Sequence, residues 1–322
     1  WGTLQANITA DTGDAGVTAW EAIEGDVTAT AGSVAVNAMG ALNSSINAGQ
    51  HVSVAAHGAA DVKVNAGGHA SVSSFADLNG SITAGLTVDV AGNANVNVDV
   101  DAGDDVSMLA LGDILGSVGT DGDLTATATG LLNLGTSSIA GNAALIGIGG
   151  LSGIIEAGGS INASTWGTTA ALMLSGVNGV DLTVAKTGGA ELTSTSGSVN
   201  VVAGEGGGFT IDADGSVNVT AVDDVSVNAD AGEGIDVFSG GNIGGRLDAG
   251  GNVSATALGQ FTADTHAGGD INVTAIDDIA AAISAGSDES VVTYGTIDAT
   301  GLNPLWANGN LSAVAREGVL GT

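Results

Sequence analysis

The chain has no cysteine, so neither disulfides nor thiolate metal ligands hold it together, and its redox compartment is not legible. It has one proline, Pro304, which suits a chain made almost wholly of hydrogen-bonded ladder, where proline would delete a donor. Aromatic residues are 3% of the 322 positions, too few for a core built on rings. Cations are scarcer still. Lys63, Lys186, Arg246 and Arg316 stand against 35 Asp and Glu, for a net charge of −31. Four cations cannot neutralise a phosphate backbone, which excludes nucleic acid as a partner. Residues 124–155 carry no charge, but Thr125, Thr127, Asn133, Thr136, Ser137, Ser138 and Asn142 interrupt the run, and no membrane span is expected.

What the chain has in abundance is glycine, 55 residues, placed at a fixed period. Residues 250–267 (GGNVSATALGQFTADTHA) lie over residues 268–285 (GGDINVTAIDDIAAAISA), matching Gly250 to Gly268, Val253 to Ile271 and Phe261 to Ile279. Turn starts recur from residue 13 to residue 286 with gaps of 17 to 20 residues, mostly 18. A second turn falls nine residues after many of these starts, as at Gly58, Gly112, Gly241 and Gly259. A period of this size is the mark of a repeat architecture and decides the fold before any local reading does.

Between turns, apolar and polar residues alternate. Val96, Val98 and Val100 alternate with Asn97, Asp99 and Asp101, and Val62 and Val64 with Asp61, Lys63 and Asn65. Period two means strands with one buried and one wet face. Hairpins would need antiparallel partners, whereas the eighteen-residue match places like over like, as one coil stacked on the next does. The expectation is therefore an all-β chain, a right-handed parallel β-solenoid (β-helix) of about 18 residues per coil and roughly 17 coils. Residues 1–322 are read as a single elongated domain. Two-sided and triangular cross-sections both fit. Val52, Val54, Val62, Val64, Val96, Val98, Val100, Ile271, Val273, Ile279 and Ile283 are expected inside, and Asn65, Asn97, Asp99 and Asn272 outside.

Candidate sites are sparse. The spacing of Gly and Asp invites comparison with the calcium-binding nonapeptide roll, but the ligand positions hold Val253, Ile271, Ala255 and Val273. Asn252, Asp270 and Asp288 share one register, where a calcium column is the metal reading kept; a metal site at His51, His57 and His69 lacks a completing ligand, and no other cofactor is expected. His51 and His69 also share a register, with His57 nearby, and are read as exposed turn residues. The pairs Asp104-Asp105, Asp223-Asp224 and Asp277-Asp278 are read as turn chemistry. A β-helix enzyme acting on polysaccharide needs acid and base clustered beside a groove, and the dispersed cations supply no such cluster, so no enzyme is expected. Nor do the Thr pairs build the ladder an ice-binding face requires.

Alternation blurs between residues 131 and 174. Leu145, Trp166, Leu172 and Leu174 are expected in an apolar patch covered by a loop or by another copy. The ends, residues 1–10 and 302–322, read as further rungs rather than caps. A head-to-tail homopolymer joined through Trp1, Leu4, Leu305 and Trp306 is the expected assembly. The start at Trp1 is read as a mature product or a segment of something longer.

The segments GDVTATAGSVAVNA (25–38), GSVNVTAVDDVSVNADAG (215–232) and GGDINVTAIDDIAAAISAG (268–286) resemble the repeats of filamentous-haemagglutinin-like proteins, the exported β-helix adhesins of two-partner secretion. The resemblance implies a place outside the cell, at a host or neighbouring cell surface, and a role as fibre, stalk or adhesin. It carries over no functional residue.

Overall fold

The computed structural model describes residues 2–300 and 304–321, and all their regular structure is strand. The chain is a β-solenoid: each strand pairs in parallel with a strand about 18 residues away, over about 17 turns. It divides into two units, Trp1–Gly159 and Ser160–Thr322.

In the first unit every coil contributes to two sheets. A narrow sheet takes strands of about five residues, such as Val52–Ala56, Ala70–Ser74 and Val88–Gly92. A broad sheet takes longer ones, such as Ala60–Ala66, Leu78–Ala84 and Val96–Ala102. The stacking of like on like is literal. One inward column of the narrow sheet runs Ala15, Val34, Val52, Ala70, Val88, Val106, Leu124 and Ala143. In the broad sheet Val64, Ile82, Val100 and Val118 form another.

The broad sheet bends along its midline. There the strand breaks outright in some coils, as between Ile23–Glu24 and Val27–Ala29 or between Ile114–Leu115 and Val118–Thr120. The cross-section is two-sheeted with one bent side. Gly80 marks the bend at φ +135°, where a Cβ would lie 1.8 Å from the Val62 carbonyl oxygen. The periodic turn glycines have a different reason. A Cβ on Gly67 would sit 2.3 Å from the carbonyl oxygen of Gly49, so coils stack at strand spacing there only if the side chain is absent.

The second unit repeats the plan. Its narrow sheet stacks Ile161, Val180, Val199, Val217, Ile235, Val253, Ile271, Glu289 and Leu311 in one inward column. Its broad sheet stacks Leu174, Leu192, Ile211, Ala229, Leu247, Thr265, Ile283 and Leu305. All eleven residues expected inside are buried; Asn97, Asp99 and Asn272 are exposed and Asn65 is half-buried.

Leu145, Leu172 and Leu174 correct the expectation of an outward apolar patch. They are 1, 2 and 1% exposed and fill the solenoid's own interior. The paired apolar letters hid the alternation, because the outward member of each pair is Ile146 or Met173. Insertions compound this. The strand Leu131–Ile139 slips register against Gly150–Ala157 between Asn133 and Thr136, and Ala171 has a positive φ of 48°.

Candidate functional interface

The residues flagged as a calcium column have another task. The Oδ1 of Asn252 accepts the backbone N–H of Asp270 at 2.8 Å. The Oδ1 of Asp270 accepts that of Asp288 at 3.1 Å, and the Oδ1 of Asp288 accepts that of Asn310 at 2.8 Å. Each side chain caps the same position one coil on. The Asp288 amide, with the Ser287 side chain, holds the Asp270 carboxyl below its usual value. The first unit does the same through Asp105 to Asp123 and Asp123 to Asn142, at 2.8 and 2.7 Å. A second ladder at the other turn runs Asp77, Asn95, Asp113 and Leu131. The second Asp of each Asp-Asp pair serves in this way, Asp224 for Asn242 and Asp278 for Thr296. Among the described residues no group of three or more His, Cys, Asp or Glu is placed to hold a metal ion.

Three of the histidines fall on two columns, one at each end of the narrow-sheet strands. His51 and His69 stack with centroids 5.0 Å apart, and His51 Nδ1 accepts the His69 amide at 3.0 Å. His57 stacks on Phe75 instead, at 4.8 Å.

That second stack belongs to a feature that sequence reading missed. The residue leaving each narrow-sheet strand points outward at a corner, linked to the coil before by backbone hydrogen bonds such as Met39 N–H to Ala19 and Phe75 N–H to Ala56. In the first unit this corner reads Trp20, Met39, His57, Phe75, Asn93, Leu111, Thr129 and Ile148. Trp20 is 73% exposed, Phe75 61% and Leu111 58%. In the second unit the corner includes Trp166, Val222, Leu258, Ile276 and Tyr294, with Trp166 at 72% and Tyr294 at 64%. A chain with nine Trp, Tyr and Phe places four of them at this one position and leaves all four in solvent. The position recurs every 18 or 19 residues but is apolar only in part, with His57, Asn93, Thr129, Gly204 and Gly240 among its members, and drift in coil length hid it until strand pairing supplied the alignment.

The narrow face behind the first unit's corner is nearly without charge. Its outward positions over eight coils, such as Ser53, Ala55, Ser71, Ser73, Leu109, Thr127 and Ile146, include one charged residue, Asp89. The acid lies elsewhere: Glu24, Asp26, Asp61, Asp99, Asp101 and Glu156 on the broad face, with Lys63, and the Asp ladders at the turns.

The remaining expected interface residues sit at outer coils. Leu4 is half-buried in Leu4–Gln5, Leu305 is half-buried in Leu305–Ala307, and Trp306 is exposed. Trp306 adjoins a shallow groove with Arg246, Asp264 and His266, in which Arg246 pairs with Asp248 at 2.6 Å. Trp1 lies outside the described residues, as do 302, 303 and 322 of the expected joint. Among the described residues no helix is long and apolar enough to cross a membrane.

One inward position holds an ionisable group. Glu289 occupies a column otherwise apolar, is 1% exposed, and neither carboxylate oxygen has a hydrogen-bond partner. Burial pushes its carboxyl up to about 7; the backbone of Trp306 pulls weakly the other way without reaching hydrogen-bond geometry.

No known protein family, no curated protein and no solved structure matches the chain.

Proposed function

We propose that the chain is a structural, non-catalytic β-solenoid that stacks head to tail with copies of itself into an extracellular fibre. The observation that carries this is the state of the outer coils. Leu311 occupies a core column yet is 49% exposed, whereas Ile271 in the same column, paired on both sides, is fully covered. Leu4 and Ile8 pair with the buried Ile23 and Val27 but are themselves half-buried. Open parallel edges of equal pitch are complementary, and a contact between two unlike edges does not close on itself. The extracellular placement rests on the resemblance to filamentous-haemagglutinin-like repeats. A second reading, the stalk of a longer adhesin, would cover the same edges with further coils of its own chain.

Mass and microscopy separate the two. A native chain near 30.6 kDa whose particles lengthen with concentration supports stacking. Charges placed at the edges, Leu4→Asp or Leu305→Asp, then stop the growth. A far larger native chain assigns the stalk. A 30.6 kDa chain that stays monomeric on concentration, with growth unaffected by either substitution, overturns the fibre.

A further inference from the structure

We infer that the narrow face of the first unit and its apolar corner form a lateral interface with a second copy of this chain. This is independent of stacking through the outer coils, since it uses a side of the unit rather than an edge. Three observations select a second copy.

The first is charge. At −31, two copies repel through almost any surface they present. In the first unit the narrow face has one acidic residue over eight coils, while the broad face has six acids and one lysine. The narrow face is where one acidic chain can approach another at least electrostatic cost.

The second is pitch. The corner offers one side chain per coil at strand spacing, about 4.8 Å, and another copy has the same spacing by construction. Large residues at Phe75, Leu111 and Ile148 are separated by the smaller Asn93 and Thr129, so this stretch of the corner offers a ridge every second coil. A partner of different architecture has no reason to share it.

The third is area. Eight coils at about 4.8 Å, crossed by five residues at about 3.3 Å, give about 600 Å² per copy and about 1,200 Å² in total, which reaches the lower range of specific protein interfaces. The exposed Trp20 is of a residue type that anchors such contacts.

The absence of native cysteine makes a direct test clean. Trp20→Cys, Phe75→Cys, Leu111→Cys and Ile148→Cys are oxidised singly and in pairwise mixtures, beside Asn97→Cys on the broad face. A covalent dimer from at least one corner pairing, and none from Asn97→Cys, is expected. The triple substitution Trp20→Ser, Phe75→Ser and Leu111→Ser, at exposed positions, leaves the circular dichroism unchanged and lowers lateral dimerisation at least tenfold by light scattering. If that variant misfolds, Phe75→Lys alone carries the measurement. The variants Leu4→Asp and Leu305→Asp retain corner cross-linking, so failure of stacking and failure of lateral pairing are read separately. No corner cross-link, or a link equally strong at Asn97→Cys, overturns the interface. Wild-type chain that does not self-associate but binds phospholipid vesicles through the corner would assign the face to a lipid surface and equally overturn it.

Discussion

Glu289 shows what one residue does in a column built for valine. Its neighbours above and below are Leu311 and Ile271, and the strands on both sides, Ile271–Ala275 and Leu311–Ala315, carry no titratable group. The strand Leu305–Ala307, whose Trp306 backbone lies near the carboxyl, carries none either. Its folded pKa of about 7 lies above the ordinary 4.5, so its neutral form belongs to the folded state. The stability it contributes is complete below about pH 4.5 and is lost as pH rises through about 7. Melting temperature should therefore fall across this window in the wild type and much less in Glu289→Leu; equal slopes would refute the assignment. Asp278 and Asp298 run the other way. Hydrogen bonds to Thr296 and Thr300 hold their carboxyls below the usual value, so what they contribute is present at neutral pH and lost only on acidification. Val98 and Asn97 test the register. Burying a Val side chain is worth about 1.5–3 kcal/mol, so Val98→Asp should destabilise by at least about that much while Asn97→Asp changes chemical denaturation little. Equal tolerance would mean the inward face is assigned to the wrong residues.

At the scale of the element, the turn is where neighbouring coils are fastened. A side-chain oxygen from one coil satisfies an amide of the next, so a single Asx residue serves two coils at once. Asn252→Ala should cost about 0.5–1.5 kcal/mol, the ordinary net worth of such a bond, measured by urea denaturation. Since Oδ1 of Asn252, Asp270 and Asp288 is committed to backbone, calcium and a chelator are expected to leave the melting temperature alike. A calcium-dependent rise that Asp270→Asn abolishes would return the column to a metal. Gly80 probes the bend. At φ +135° and against the Val62 carbonyl, Gly80→Ala cannot be accommodated without moving backbone, and a loss of about 1–3 kcal/mol is expected by thermal melting.

Across the molecule, coils contact their neighbours and little else, so stability is approximately a sum of coil and nearest-neighbour terms. Damage should stay local. In Val98→Asp, hydrogen exchange is expected to rise in the coils around the strand Val96–Ala102 and to remain slow at the strand Val217–Ala221. Uniform loss of protection would show that the chain unfolds as one body. The same additivity is why the outer coils matter. Leu311 is 49% exposed, while Ile271, paired with Val253 and Glu289 in the same column, is fully covered.

Much of this was legible in the letters. A parallel ladder places identical register positions over one another, so the eighteen-residue period and the alternation of Val62 and Val64 with Asp61 and Lys63 specified strand, face and stacking without reference to distant residues. What sequence could not decide is everything that depends on counting coils of unequal length. Between residues 131 and 174 insertions shift the register, and Leu145, Leu172 and Leu174 looked like surface until pairing placed them inside. The corner column is the same problem seen from outside. Trp20, Phe75, Trp166 and Tyr294 are far apart in sequence at irregular intervals. Only hydrogen bonding between coils, which absorbs each extra residue in a turn or bulge, brings the members of each unit into line and leaves the acid on other faces.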